Sequence, residues 1–159
     1  IAVAGNGPKN ITEVSLEELV VDSVDAHSAD VQGAEISIEA SGRLRTEPAR
    51  LRSIVDNLIS NALRFRRVDG AHHVHIHANV AKDGATLSVA DNGVGVPEDA
   101  TDEIFRLFKR ATHRPESSGV GLALVRKHLK HLGGRVEVEH LSPGVRFVIH
   151  LPYGDVDDR

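Results

Sequence analysis

Apolar residues recur along the chain with two periods, which predict helices and strands in alternation. A capping-box pattern followed by apolar positions at helical spacing predicts a helix over residues 15–31, ended by Gly33. Strict alternation then predicts a strand over residues 35–40, and a short second strand is expected over residues 43–46.

The middle of the chain predicts a second helix followed by a hairpin. Glu47-Pro48 opens the helix, because proline is favoured in a first helical turn. Its apolar stripe consists of Leu51, Leu58, Ala62 and Phe65. Residues 71–81 and the run that ends at Asp91 alternate on either side of Asp83-Gly84, which predicts two antiparallel strands joined by a tight turn.

The last third predicts two helices and a closing hairpin. A short helix is expected over residues 101–108, and residues 109–118 have no apolar period, which predicts a mobile loop. A longer helix begins at Gly119-Val120-Gly121 and is stopped by Gly133-Gly134. Its buried stripe consists of Leu122, Val125, Leu129 and Leu132. A hairpin that turns at Ser142-Pro143-Gly144 closes the chain.

These elements predict an α+β fold. About three main helices and five or more strands, each with one apolar face, are best buried as a two-layer α/β sandwich, one sheet covered on one face by the helices. We expect residues 1–14 to be an extended lead-in, residues 15–152 to form one domain and residues 153–159 to be a frayed acidic tail.

Composition excludes several classes of function. The 159 residues fit one domain, and a net charge of −4 gives no sign of a nucleic-acid partner. The absence of cysteine excludes disulfides and thiolate chemistry, and no apolar run approaches the ~20 residues that span a bilayer. The sequence begins at Ile1 and contains no methionine, so we expect it to be a fragment of a longer protein.

The stretch Asp91-Asn92-Gly93-Val94-Gly95-Val96-Pro97 carries the first candidate chemistry. A carboxylate at the end of a strand accepts hydrogen bonds from an amino group, and glycines let the backbone approach a flat ligand closely. A planar, amine-bearing ring such as adenine fits these features. The alternative is a tight turn that ends at Pro97.

Two further polar clusters accompany this turn. Asn57, Asn61 and Arg64 share one helix face; amide oxygens suit a hard divalent cation, and arginine suits phosphate. The glycine-rich helix start at residues 119–121 offers free N–H donors to an anion. Together with the Asp91 turn, these clusters supply the chemical groups that would bind Mg-ATP. Taken singly, the helix face is compatible with a solvated surface and the glycine-rich helix start with a loop.

Four motifs in order resemble the ATP-binding catalytic domain of sensor histidine kinases. They are I-V-D-N-L-I-S-N-A-L-R-F, D-N-G-V-G-V-P, E-I-F-R-L-F-K-R and S-S-G-V-G-L-A-L-V, and the resemblance covers roughly residues 15–152. That family belongs to the Bergerat-fold group, which includes DNA gyrase and heat-shock ATPase chaperones. The resemblance implies a mixed, mostly antiparallel sheet and Mg²⁺ and ATP as ligands.

The resemblance also implies roles for individual residues. Asn61 is the expected Mg²⁺ ligand, Asn57 contacts metal or phosphate, and Arg64 contacts phosphate. The expected adenine pocket contains Asp91, Gly93, Gly95 and Val96. The expected ATP lid over residues 109–118 and the helix start contribute Lys109, Arg110, Ser118, Gly119, Val120, Gly121 and Leu122. Two residues depart from the family pattern: Ser117 replaces a frequent glycine, and Arg64 replaces the commoner lysine.

Asn57 favours a kinase over an ATPase. The ATPase branch of the group has a glutamate there as general base, and an amide cannot take a proton at neutral pH. None of the ten histidines has the expected acceptor context, so we expect the acceptor on an upstream histidine-containing dimerisation domain, with a response regulator receiver domain as further partner. We expect the fragment alone to lack autophosphorylation and dimers to form only in the full-length protein. We also expect a cytoplasmic location within a longer sensor, whose membrane attachment stays open.

Some alternatives stay open. The chain is also compatible with a nucleotide-sensing or docking module without kinase activity, or with a serine kinase of the anti-sigma type, which Asn57 disfavours. One strand face carries three histidines, His73, His75 and His77. This pattern favours a solvated surface over a metal site, because two ligands on one strand rarely complete a closed site. The basic run over residues 109–114 is either phosphate-binding or a solvated loop.

Overall fold

The chain alternates between helices and strands in the parts that the computed structural model describes, residues 10–64, 70–95 and 119–153. The elements in chain order are β1 (Thr12–Ser15), α1 (Leu16–Ala26), a 3-10 turn (Ser28–Asp30), β2 (Ala34–Ala40), β3 (Arg43–Thr46), α2 (Pro48–Arg64), β4 (His72–Ala81), β5 (Gly84–Asp91), α3 (Gly119–Leu132), β6 (Arg135–His140) and β7 (Val145–Pro152). The expected helix over 101–108, the loop over 109–118 and the stripe residue Phe65 lie outside these ranges.

Five strands form one mixed sheet in the order β2-β4-β5-β7-β6. β2 is parallel to β4, and the other neighbours are antiparallel. β1 and β3 form a separate antiparallel pair. The predicted α+β fold with a mixed, mostly antiparallel sheet is confirmed.

The core lies between one face of this sheet and the helices. In β4 the apolar residues Val74, Ile76 and Ala78 are buried, because alternate strand residues point to the same face. The opposite face carries His73, His75, His77 and Asn79 and is open to solvent. The same division holds in β5 and β7, so the described helices cover the sheet on one side, as predicted.

The first helix is shorter than predicted. Ser15 caps it by accepting a hydrogen bond from the backbone N–H of Glu18 at 3.3 Å, but the helix ends at Ala26. His27 leaves helical geometry, and a 3-10 turn follows. Ser28 and Asp30 in that turn are weak helix formers, because their side chains compete for backbone hydrogen bonds. The residues just before this helix are not only an extended lead-in, since residues 12–15 pair with β3.

The β4–β5 hairpin turns one residue earlier than predicted. Ala81 pairs with Gly84, so the two-residue loop is Lys82-Asp83 and Gly84 already belongs to β5. Gly84 has φ +151°, and a Cβ built there would lie 2.0 Å from the backbone oxygen of Leu151 in β7. The close approach of β7 therefore requires this glycine, while the turn itself does not.

None of the described helices combines the length and hydropathy that crossing a bilayer requires. The longest, α2, has 17 residues; Arg64 is exposed on its polar side, and Arg50 and Arg52 are partly exposed. Its apolar residues pack into the shared core, where Leu51, Ile54 and Leu58 are fully buried. These helices are therefore amphipathic elements of the sandwich.

Candidate functional site

The end of α2 meets the sheet where β4 begins and β5 ends. The imidazole of His72, the first residue of β4, donates through Nε2 to the backbone oxygen of Ala62 at 2.9 Å. β5 is antiparallel to β4, and its last residue, Asp91, pairs with Val74. Because Asn61 and Arg64 flank Ala62 in the last turn of α2, this half of the expected polar face lies at the same edge of the sandwich as Asp91.

The start of α3 lies at this edge as well. Glu47, just before α2, contacts the imidazole of His131 near the end of α3 at 3.1 Å. Arg50 in the first turn of α2 contacts Nδ1 of His128 at 3.0 Å. The helices pack against each other with the start of one beside the end of the other, so they run in opposite directions. Gly119 at the start of α3 is therefore on the side where α2 ends.

Asp91 is a buried carboxylate. Its side chain points to the helix-covered face of the sheet, and only 6% of the residue is exposed. Burial raises the pKa of Asp91 from 3.8 to about 6, against the opposing effect of the Gly93 backbone N–H, which donates to Oδ1 at 2.8 Å. A carboxylate that merely shapes a surface turn would stay in water, so the burial favours a binding role over the tight-turn alternative.

The turn after Asp91 is held by the β6–β7 hairpin. Gly95 has φ +77°, and a Cβ built on it would lie 3.1 Å from the backbone oxygen of Gly144. Gly144 has φ +103°, and a Cβ built there would lie 1.8 Å from the backbone oxygen of Asp91. The backbone of Gly144 therefore packs directly on the candidate site. In the sequence Gly144 was only a turn glycine, since nothing local indicates what it contacts.

Asn92 is a second structural part of the site for which sequence reasoning assigned no role. Its Nδ2 donates to the backbone oxygen of Ala71 at 2.9 Å, and its Oδ1 accepts from the backbone N–H of His73 at 2.8 Å. Its own N–H donates to the His73 oxygen at 3.2 Å. The amide side chain thus continues the β4–β5 pairing beyond the end of β5 and fixes the direction in which the turn leaves the sheet.

The three residues of the polar face of α2 differ in exposure: Asn57 is half-buried, Asn61 is buried and Arg64 is exposed. The Asn57 Nδ2 donates to the Ser53 backbone oxygen at 2.7 Å, which uses the donor half of that amide and leaves Oδ1 as the atom that a cation would use. Asn61 is only 5% exposed, whereas Arg64 is exposed. An amide as buried as Asn61 does not belong to a merely solvated helix face.

The start of α3 has the predicted form. Its first residue is Gly119, and Leu122 one turn later is 5% exposed in the core. The first N–H groups of a helix have no partner within it, so this end offers donors and a positive dipole end to an anion. The other expected ligand residues, Val96, Lys109, Arg110 and Ser118, lie outside the described residues.

The histidine row of β4 lies on the other, open face of the sheet. His73 Nδ1 is 2.7 Å from the Glu35 carboxylate, and His75 Nδ1 is 2.6 Å from the Ser37 hydroxyl. Across residues 10–64, 70–95 and 119–153, no three His, Cys, Asp or Glu side chains are grouped to hold a metal ion. His73 and His75 form cross-strand polar contacts with β2 on the face of the sheet opposite the one to which Asp91 points.

Comparison with known proteins identifies the family. Residues 46–155 match the family described as histidine kinase-, DNA gyrase B-, and HSP90-like ATPase. The chain belongs to this ATPase family. The match includes α2, β4, β5 and α3, which are the elements that carry the candidate site.

The relatives of this ATPase-family domain are larger signalling proteins. It is 30% identical over 153 residues to the signal transduction histidine-protein kinase AfsQ2 of Streptomyces coelicolor, covering 94% of the chain and 28% of the relative. The ATP binding domain of PrrB from Mycobacterium tuberculosis has a similar structure, with 25% identity, a TM-score of 0.73 and coverage of 92% and 100%. Full-length ShkA in complex with AMPPNP matches at 28% identity and a TM-score of 0.79, over 94% of the chain and 32% of ShkA. The chain thus spans less than a third of the full-length relatives.

Proposed function

We propose that the domain binds Mg-ATP at the edge formed by Asp91, the end of α2 and the start of α3. The observation that carries this proposal is the buried Asp91 carboxylate, whose pKa is raised to about 6 by burial. Keeping this group ionised without a ligand costs free energy. An adenine amine that donates to it would offset the cost.

The residues present fit a magnesium ion and a triphosphate. Asn57 and Asn61 supply amide oxygens, the type of ligand that a hard divalent cation takes. Arg64 and the N-terminal amides of α3 supply donors for phosphate oxygens. When bound, the metal neutralises phosphate charge, while the residues of this chain orient the nucleotide and hold its base.

We further propose that the domain is the catalytic part of a sensor histidine kinase and donates the γ-phosphoryl group to a histidine on a separate dimerisation domain. Asn57, whose amide is anchored on the previous turn of α2, cannot take a proton from water. A neutral imidazole needs no such base, because its lone pair is free. A response regulator receiver domain then accepts the phosphoryl group, and dimers form through the histidine-bearing domain. AfsQ2, named a histidine-protein kinase, supports this assignment.

Titration calorimetry with Mg-ADP tests the binding site. Asp91→Ala should weaken affinity by about tenfold or more, because a hydrogen bond to a charged group is worth about 1.5–3 kcal/mol. Asn61→Ala should remove most of the Mg²⁺-dependent part of the affinity. Asp83→Ala in the hairpin loop and Asn79→Ala on the exposed part of β4 are matched controls. Wild-type affinity in both site variants would refute the assignment.

Radiolabelled ATP tests the chemistry. A longer protein that contains the histidine domain should become labelled at its acceptor histidine, and Asn61→Ala in that protein should abolish labelling. Nucleotide binding without labelling of the longer protein would instead identify a nucleotide-sensing module.

A further inference from the structure

His72 is a buried imidazole that neither the apolar core nor the expected ligand set accounts for. It is 6% exposed and lies on the helix-covered side of the sheet, whereas its neighbours His73 and His75 lie on the open side. Its Nε2 donates to the Ala62 oxygen at 2.9 Å, so the ring carries a proton on that nitrogen. Burying a polar ring is favourable only when such a bond is made.

The acceptor of this bond lies between two expected ligand residues. Ala62 directly follows Asn61, and Arg64 comes two residues later in the last turn of α2. A bond to the Ala62 carbonyl therefore restricts both the position and the rotation of the turn from which these side chains project. A donor at a helix C-terminus also interacts favourably with the negative end of the helix dipole.

The backbone of His72 is fixed from the opposite direction by Asn92. The Asn92 side chain bonds to the Ala71 oxygen and the His73 N–H, on either side of His72. Asn92 directly follows Asp91, so a short hydrogen-bonded path runs from the Asp91 turn through the start of β4 to the end of α2. Each bond on this path has ordinary length, between 2.8 and 2.9 Å.

We infer that His72 is a positioning residue that holds the metal- and phosphate-binding end of α2 at a set distance from the adenine-binding Asp91. This inference rests on the proposed Mg-ATP site, which has two halves: the end of α2, for metal and phosphate, and Asp91, for adenine. It adds the group that keeps these halves at a fixed separation. A nucleotide bridges both halves, whereas adenosine engages only the Asp91 half. Loss of the His72 bond therefore affects ligands that span both halves and spares binding of the base.

His72→Phe is the informative variant, because it keeps an aromatic ring but removes the donor. We expect Mg-ADP affinity to fall about three- to tenfold, the range for one net hydrogen bond, while adenosine affinity, measured by NMR titration, changes less than about twofold. His72→Gln places an amide N–H in similar reach and should restore Mg-ADP affinity to within about twofold of wild type. His77→Phe, on the open face of the same strand, is the matched control and should change neither affinity.

The outcomes separate this inference from the binding proposal. Unchanged Mg-ADP affinity in His72→Phe, or equal losses for Mg-ADP and adenosine, would overturn the positioning role, provided that Asp91→Ala still weakens nucleotide binding. If Asp91→Ala also binds normally, the site assignment itself fails. Should His72→Phe not fold, ¹⁵N-edited NMR of the wild-type imidazole decides: a proton retained on Nε2 with and without Mg-ADP supports the role, and the Nδ1–H tautomer contradicts it.

Discussion

Replacement of Asp91 by asparagine should remove a pH-dependent loss of stability from the nucleotide-free domain. The substitution removes the charge but keeps an oxygen that can accept the Gly93 N–H. In the wild type, burial raises the pKa of the carboxyl group from 3.8 to about 6. At about 1.4 kcal/mol per pH unit, this rise means that ionised Asp91 destabilises the folded state by about 3 kcal/mol above pH 6.

The sign follows from proton binding. As pH rises from about 4, the unfolded chain loses the Asp91 proton first and the folded chain retains it until about pH 6, so the free energy of unfolding falls over this interval. Above this interval Asp91 is ionised in both the folded and the unfolded chain, so the free energy of unfolding falls no further. Between about pH 4 and pH 7.5, the variant should therefore gain about 2–2.5 kcal/mol relative to wild type.

Urea unfolding followed by far-ultraviolet circular dichroism, at several pH values and for both proteins, measures this difference. Other titrating groups are common to the two proteins and cancel. The absolute stability of the variant does not test the prediction, because the new amide N–H₂ needs a hydrogen-bond partner in a buried place. The test is how the difference between the two proteins depends on pH. A difference that is constant with pH, or that grows towards low pH, would refute the buried-carboxylate argument.

Three further predictions concern other parts of the domain. Gly144→Ala should lower the free energy of unfolding by about 2–4 kcal/mol and weaken nucleotide binding, because its Cβ would overlap the Asp91 oxygen; Gly70→Ala, also at positive φ but with open space around it, should cost only about 1 kcal/mol in the same urea titration. The pKa of His128 is lowered first by burial and then by the charges of Arg50, Lys127 and His131, against Glu47. His128 should therefore lower the free energy of unfolding below about pH 6.5, where the unfolded histidine takes up a proton. Because the other titrating groups, including Asp91, are common to both proteins, the change in the free energy of unfolding from pH 8 to pH 5, measured by urea unfolding, should be less favourable in wild type than in His128→Gln. The isolated domain should bind ATP without becoming labelled, which filter binding and autoradiography with radiolabelled ATP will check; strong acid-labile labelling of one of its own histidines would contradict the proposed absence of the acceptor.

Local pattern was sufficient to place the candidate residues of α2 and β5 on their elements. Helical spacing put Asn57, Asn61 and Arg64 on α2, and alternation put Asp91 at the end of a strand, because both periods follow from backbone geometry alone. The stop of α1 at Ala26 was not predicted, since weak helix formers there outweigh an apolar period that continues to Val31.

The supporting residues could not be predicted from the sequence. Gly144 contacts Asp91 only because β7 pairs with β5, and His72 contacts Ala62 only because the chain returns from α2 to the sheet at that point. Such contacts join positions whose sequence separation exceeds any helical or strand period. The burial that raises the pKa of Asp91 is likewise a property of the assembled layers.

The parallel pairing of β2 with β4 has a consequence for how this domain tolerates change in length. Parallel neighbours need a long crossover, and here the crossover contains β3 and α2. The helix that carries the candidate metal ligands is therefore also the connector whose two ends are tied to the sheet. One residue inserted between Pro48 and Asn57 would rotate the remaining helix by about 100° and advance it by about 1.5 Å, carrying the ligand face away from Asp91. Insertions at the Lys82-Asp83 hairpin loop, which connects antiparallel strands at the far end of the sheet, would leave that geometry unchanged.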